Sequence, residues 1–182
     1  MSASSAHRYF FALWPPRELG SALAALGEQA QAVQRGRLME AESLHCTLAY
    51  LGPLDQKQAQ AAISAGDSIH AQAFDMPIDY VGFWPHNRIV WAGPRVSPPE
   101  VTALAALIAD AVAASSLGYR PAALTQAHLT LLRNACAPRT PAPLALGLWR
   151  CNEFVLARSI AGNASGARYE IVARWPLAGG GD

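Results

Sequence analysis

Hydrophobic and polar positions alternate between two periods along this chain, and the alternation predicts mixed helices and strands. Tyr9 to Trp14 is a continuous apolar and aromatic run and predicts a buried strand, ended by Pro15-Pro16. Pro16 suits the opening turn of a helix. From Glu18 to Gln34, Leu19, Leu23, Leu26, Ala30 and Val33 recur at gaps of three and four and define one helical face. Leu44 to Leu51 predicts a second strand, with Gly52-Pro53 as the turn behind it. Asp55 is an N-cap candidate for a helix reaching about His70, with Ala59, Ala62, Ile63, Gly66 and Ile69 inward. Met76 to Val81 and Arg88 to Ala92 predict a hairpin around a loop at 82–87. Ser97-Pro98-Pro99-Glu100 opens a third helix with Val101, Leu104, Leu107, Ile108 and Val112 on one face and Gly118 beyond it. Ala127–Arg133, Cys151–Ser159 and Arg168–Trp175 complete the strands, separated by a proline-rich loop at 138–143 and a small-residue turn at 161–167. The hairpin and the late strand pair argue for antiparallel sheet, and hence for the α+β class.

Length and composition narrow this picture. The chain has 182 residues, of which 52% are hydrophobic, so it can bury a core without staples and is not generally disordered. A single unit spanning 1–182 is expected, with residues 1–7 and 178–182 flexible. Net charge is +1, from 14 basic and 13 acidic residues, which argues against a broad basic surface for duplex nucleic acid. It leaves room for a small anionic ligand or an RNA end. Lys57 is the one lysine, and arginine suits bidentate phosphate recognition. Three cysteines without CxxC spacing argue against a disulfide framework or a zinc site, and fit a reducing cytoplasm. No apolar run is long enough to span a membrane.

One pattern rises above this background. His45-Cys46-Thr47-Leu48 and His128-Leu129-Thr130-Leu131 both fit His-x-Thr-Leu, and both lie on predicted strands with a helix and sheet segment between them. The repeat predicts an internal duplication, two similar lobes each giving one strand to a shared cleft. Residues i and i+2 of a strand share a face. His45 therefore projects with Thr47, and His128 with Thr130, while Cys46, Leu48, Leu129 and Leu131 anchor the strands from behind. The Cys46 thiol accordingly points away from His45.

Two imidazoles and two hydroxyls on one surface suit phosphoester chemistry without a metal or other cofactor. In-line displacement at phosphorus needs a base for the nucleophile and an acid for the leaving oxygen. Histidine serves as either near neutral pH. Thr hydroxyls and a cation can hold the non-bridging oxygens, and Arg133, on the strand of His128, is the best-placed cation.

These motifs resemble the 2H phosphoesterases, and within them the bacterial and archaeal RNA 2′,3′-cyclic phosphodiesterases, historically called 2′-5′ RNA ligases. The resemblance extends over Arg8–Leu13, Leu44–Gly52, His128–Arg133, Glu153–Ser159, and Arg168-Tyr169 with Arg174–Leu177. Cys46 stands where an aliphatic residue is more usual, and Ala49 where many members carry Arg. The resemblance implies a bilobal, duplicated fold, with two mainly antiparallel sheets and outer helices around a central cleft. It implies opening of a terminal ribonucleoside 2′,3′-cyclic phosphate to a 2′-phosphomonoester. His128 would then accept the proton of water and His45 would donate one to O3′, with Thr47, Thr130 and Arg133 on the phosphate. Phe11 stands where relatives carry an aromatic that stacks on the terminal base, an interaction worth about 1–3 kcal/mol.

The expected partners are RNA ends bearing a cyclic phosphate, tRNA fragments and cyclic nucleotides among them; no membrane and a monomeric state are expected. Two alternatives share the residues: a ligase joining cyclic phosphate and 5′-hydroxyl ends, and an RNA-end binding protein without turnover.

Overall fold

A computed structural model describes residues 7–137, 146–160 and 168–179. The loops expected at 138–143 and 161–167, with Arg139, lie outside the described residues. The first half of the chain runs β1 (His7–Leu13), α1 (Arg17–Gln34), β2 (Arg37–Leu38), a single 3-10 turn at Ala41–Ser43, β3 (Cys46–Leu54) and α2 (Gln56–Asp67). There follow β4 (Phe74–Pro77), β5 (Tyr80–Trp84), β6 (Ile89–Gly93), α3 (Pro99–Ala114), β7 (Leu129–Arg133), β8 (Leu148–Cys151), β9 (Glu153–Ile160) and β10 (Arg168–Pro176). The class is α+β, as expected. Among the described residues no helix is long and apolar enough to cross a membrane.

Two antiparallel sheets form. The larger has the order β10-β9-β1-β3-β7-β6-β5 with β2 also on β7, and the smaller is β4-β8. The duplication is visible within the larger sheet. In one half β1 leads through α1 to β3, which pairs antiparallel with β1; in the other β6 leads through α3 to β7, which pairs antiparallel with β6. The halves meet where β3 and β7 pair, at Cys46 and Leu129. The helices cross over this junction: α1 lies against β7 and α3 against β3. Each half thus covers the other's motif strand, and the core between them is continuous.

The sequence pattern misses in ways that have local causes. In α1 the buried stripe is Gly20, Leu23 and Gly27, one step around from the expected Leu-rich face, and Val33 is 78% exposed. The helix approaches so closely that a Cβ on Gly27 would come within 2.7 Å of Leu38. Leu107 of α3 likewise turns outward. The expected turn at Gly52-Pro53 lies inside β3. Gly52 takes a positive φ of 80° beside a bulge that leaves Leu51 without a partner on β1. Pro53 is tolerated because β7 pairs with β3 only at the other end, so no ladder there needs its N–H.

The strand expected over 76–81 is two strands in different sheets. Pro77 closes β4, and Ile78 turns to bond with Gly147 and Leu146 instead. The strand expected over 151–159 is also divided, at Asn152, whose carbonyl accepts from Leu177. Two expected flexible ends are partly tied down. His7 opens β1 and bonds through Nδ1 to the Ser159 carbonyl, and Ala178 exchanges backbone bonds with Ala71 and Ala73.

The N-terminus of α2 behaves as its sequence predicts. Asp55 accepts from the Gln58 N–H at 2.8 Å while the Gln58 side chain accepts from the Asp55 N–H at 3.0 Å, a reciprocal capping box. The substitution Asp55→Ala is expected to lower stability by about 1 kcal/mol, read as a shift in urea midpoint at unchanged slope.

Candidate active site

Both motif histidines occupy the same place in their halves: each is the residue immediately before its strand, His45 before β3 and His128 before β7. The pair Cys46–Leu129 joins equivalent positions of the two motifs in antiparallel register, so a local two-fold axis passes through it. One step along that register sets His45 beside Thr130 and Thr47 beside His128. The four side chains share a face, partly exposed, while Cys46, Leu48, Leu129 and Leu131 are buried on the other.

The imidazoles are held alike. His45 Nδ1–H donates to the carbonyl of Ser43 at 2.7 Å, and His128 Nδ1–H donates to the carbonyl of Gln126 at 2.9 Å. A carbonyl only accepts, so each neutral ring carries its proton on Nδ1 and keeps a lone pair on Nε2. The segment leading to His128 is itself clamped. The Gln126 amide donates to the carbonyls of Pro94 and Ala127, and the Ala127 N–H donates to Ser97 Oγ. Sequence reading missed Gln126 and Ser43, because they act through backbone carbonyls that any residue supplies.

Aromatic rings enclose both histidines, unequally. His45 stacks on Phe10 at 4.7 Å and on Trp14 at 5.2 Å, with Tyr169 edge-on at 4.9 Å. His128 meets Trp84 edge-on at 4.4 Å and Trp91 at 6.4 Å. Burial among these rings pulls the His45 pKa down to about 4, with the nearby Arg133 and His128 adding to the fall against the Ser43 hydrogen bond. Burial, and then Arg133, lowers His128 as well. Both rings are therefore neutral at neutral pH in the unliganded protein.

Arg133 closes β7, is half-buried, and lies near enough to act on both imidazoles. Among the described residues it makes no ion pair. Cys46 is fully buried and burial pushes its thiol up to about 12, which removes it as a nucleophile. Among the described residues no three His, Cys, Asp or Glu side chains gather in a metal-binding group.

Phe11 does not stand where a base could stack. It is fully buried and packs on Phe154 and Trp175 in the main core. Strand alternation gives the reason: Tyr9, Phe11 and Leu13 face the core, while Phe10 and Ala12 face the site with Val155 and Ala157. The ring presented to the site by β1 is Phe10.

A family model described as LigT like phosphoesterase matches residues 13–91. Over 178 residues the chain is 31% identical to the RNA 2′,3′-cyclic phosphodiesterase of Escherichia coli (strain K12), covering 96% of this chain and 98% of that protein. Among solved structures, E. coli LigT complexed with 3′-AMP is similar at a TM-score of 0.82 and 29% identity, covering 96% of this chain and 99% of that one. A structure described as a phosphoesterase gives a TM-score of 0.83 at 28% identity, covering 94% and 98%. The chain belongs to the LigT-like phosphoesterase family, within the 2H superfamily.

The neutral, enclosed histidines set a pH dependence of stability. Their folded pKa values lie below the ordinary 6.5, so below that pH the unfolded chain binds more protons. Stability is expected to be full above about pH 6.5 and to fall as pH drops toward 4. In His45→Leu the loss of urea midpoint between pH 7 and pH 5 is expected to be smaller than in the wild type; an equal loss would mean that burial of His45 does not govern acid stability.

Proposed function

We propose that this chain is an RNA 2′,3′-cyclic phosphodiesterase that opens a terminal ribonucleoside 2′,3′-cyclic phosphate to a 2′-phosphomonoester. The observation that carries the reading is the pair of Nε2 lone pairs, fixed by matching Nδ1–H bonds to Ser43 and Gln126 on either side of the β3–β7 junction. Similarity to the E. coli enzyme of that name supports the substrate class. The chain acts as one bilobal unit. Its three free cysteines, Cys46, Cys136 and Cys151, fit work in a reducing cytoplasm.

In the proposed reaction the cyclic phosphate sits between the two imidazoles, with Thr47, Thr130 and Arg133 on its non-bridging oxygens. Water attacks phosphorus in line with the P–O3′ bond. His128 Nε2 takes the water proton, the P–O3′ bond breaks, and His45 Nε2–H protonates O3′. The acid requires a charged His45, which the unliganded site disfavours. A bound phosphate anion reverses that preference, because an opposite charge beside the imidazole raises its pKa. Protonation is thus coupled to substrate binding, and Arg133 compensates the charge that develops on the oxygens.

The test is product analysis with 2′,3′-cyclic AMP and with a short RNA ending in a cyclic phosphate, on protein treated with EDTA, from pH 5 to 9. The wild type is expected to give 2′-phosphate with a bell-shaped profile. His45→Ala and His128→Ala are each expected to lose on the order of 10²- to 10⁴-fold in rate. A 3′-phosphate product would reverse the direction of displacement. Turnover unaffected by either substitution would remove the site assignment.

A further inference from the structure

The rings around His128 do not stop at the histidine. Tyr80, Gly82 and Trp84 alternate along β5 and so share a face. Gly82 pairs with Trp91 of β6, and Trp91 pairs with Thr130 of β7, which places all of them on the same face as the histidine pair. Trp91 lies across Gly82, where a Cβ would come within 2.3 Å of the indole. Its ring centroid is 5.4 Å from that of Trp84 and 5.6 Å from that of Tyr80. The Arg95 guanidinium stands over the Tyr80 ring at 4.8 Å and is exposed. A continuous aromatic wall therefore leads from His128 outward, with a cation at its far end. From Trp84 to Tyr80 it extends four residues of strand, about 13 Å. That is more than the terminal nucleotide needs. The wall beside His45 is different, because Phe10, Trp14 and Tyr169 close directly on the imidazole.

We propose that the wall formed by Trp84, Trp91 and Tyr80, with Arg95, is a subsite for the second nucleotide of an RNA end, the one preceding the nucleotide that carries the cyclic phosphate. This rests on the phosphodiesterase reading and adds to it that the substrate is an oligonucleotide rather than a free cyclic nucleotide. Half-exposed Trp84 and Tyr80 offer faces and edges for a base, and stacking of this kind is tolerant of base identity. Arg95 lies where a backbone phosphate can pair with it while it remains on Tyr80. Trp91 is itself buried and packs against the rings of Trp84 and Tyr80, holding them in place from behind. Gly82 is required because any side chain would lift Trp91 out of the wall.

The experiment compares kcat/KM for a 2′,3′-cyclic mononucleotide with that for a dinucleotide ending in the same cyclic phosphate. The variants are Tyr80→Ala and Arg95→Gln, neither of which is placed at the reacting atoms; the exposed Arg95 makes the second safe for folding. The wild type is expected to favour the dinucleotide by about ten-fold or more, the scale of one stacked base. Both variants are expected to lose most of that advantage and to keep the mononucleotide rate. Equal rates on the two substrates in the wild type would overturn the subsite and leave the phosphodiesterase reading intact. Parallel losses on both substrates in the variants would overturn it too, since the wall would then serve the terminal nucleotide. Turnover of neither substrate by the wild type would instead remove the phosphodiesterase reading.

Discussion

The pairing of Cys46 with Leu129 is the contact on which the site depends. It joins equivalent residues of two similar halves in antiparallel register, and so turns two separate motifs into one site with two-fold geometry. Shifting either strand by one residue would send its His and Thr into the core and bring the buried residues out. That register is protected from behind. Cys46, Leu48, Leu129 and Leu131 are almost wholly buried, and the crossed helices hold them, α1 on β7 and α3 on β3. Opening the junction would expose core from both halves together, so the site is as rigid as the core beneath it.

The backbone symmetry extends to the hydrogen bonds that set each imidazole, but not to what surrounds them. Both rings donate from Nδ1 to the carbonyl two residues earlier. Their ring partners come from different elements: β1, the residue just after it and β10 for His45, and the β5–β6 hairpin for His128. The duplicated frame supplies two bases of the same tautomer, and unrelated aromatic residues make their environments unequal. Unequal environments are what an acid and a base need, since one pKa must respond differently from the other during the reaction.

Much of this was legible in the sequence, and what was not has physical reasons. The His-x-Thr-Leu repeats could be placed because alternation at two residues is strict in a strand, and the structure puts all four polar side chains on one face. The family resemblance puts Phe11 at the site, yet it lies in the core, and the pattern of Tyr9 to Trp14, apolar throughout, offers nothing to correct it. A strand buried on both faces carries no alternation to show which side is which. Val33 and Leu107 were assigned inward because periodicity finds a face but not the closeness of packing, and α1 comes near enough to β7 to bury glycines instead. Trp84 was hidden in a loop expected over 82–87, whereas β5 continues to it. The spacing Tyr80-x-Gly82-x-Trp84 was a signal that could have been read: two aromatics and a gap on one strand face, opposite a tryptophan on the partner strand.

The depressed histidines tie these features to function under the proposed reaction. An enclosed neutral imidazole resists protonation while the cleft is empty, and Arg133 beside it increases that resistance. An anion entering between the two rings changes the sign of the local field. It offsets Arg133 and favours a proton on whichever Nε2 faces it. The acid is thus made by the substrate, and a ligand lacking the phosphate charge would find a site with two bases and no acid. The same enclosure that lowers the pKa excludes water from the rings, which strengthens the interaction of the anion with each imidazole. In the proposed reaction the aromatic residues therefore do more than hold the histidines in place: by lowering both pKa values at rest, they would make proton donation conditional on a phosphate bound between β3 and β7.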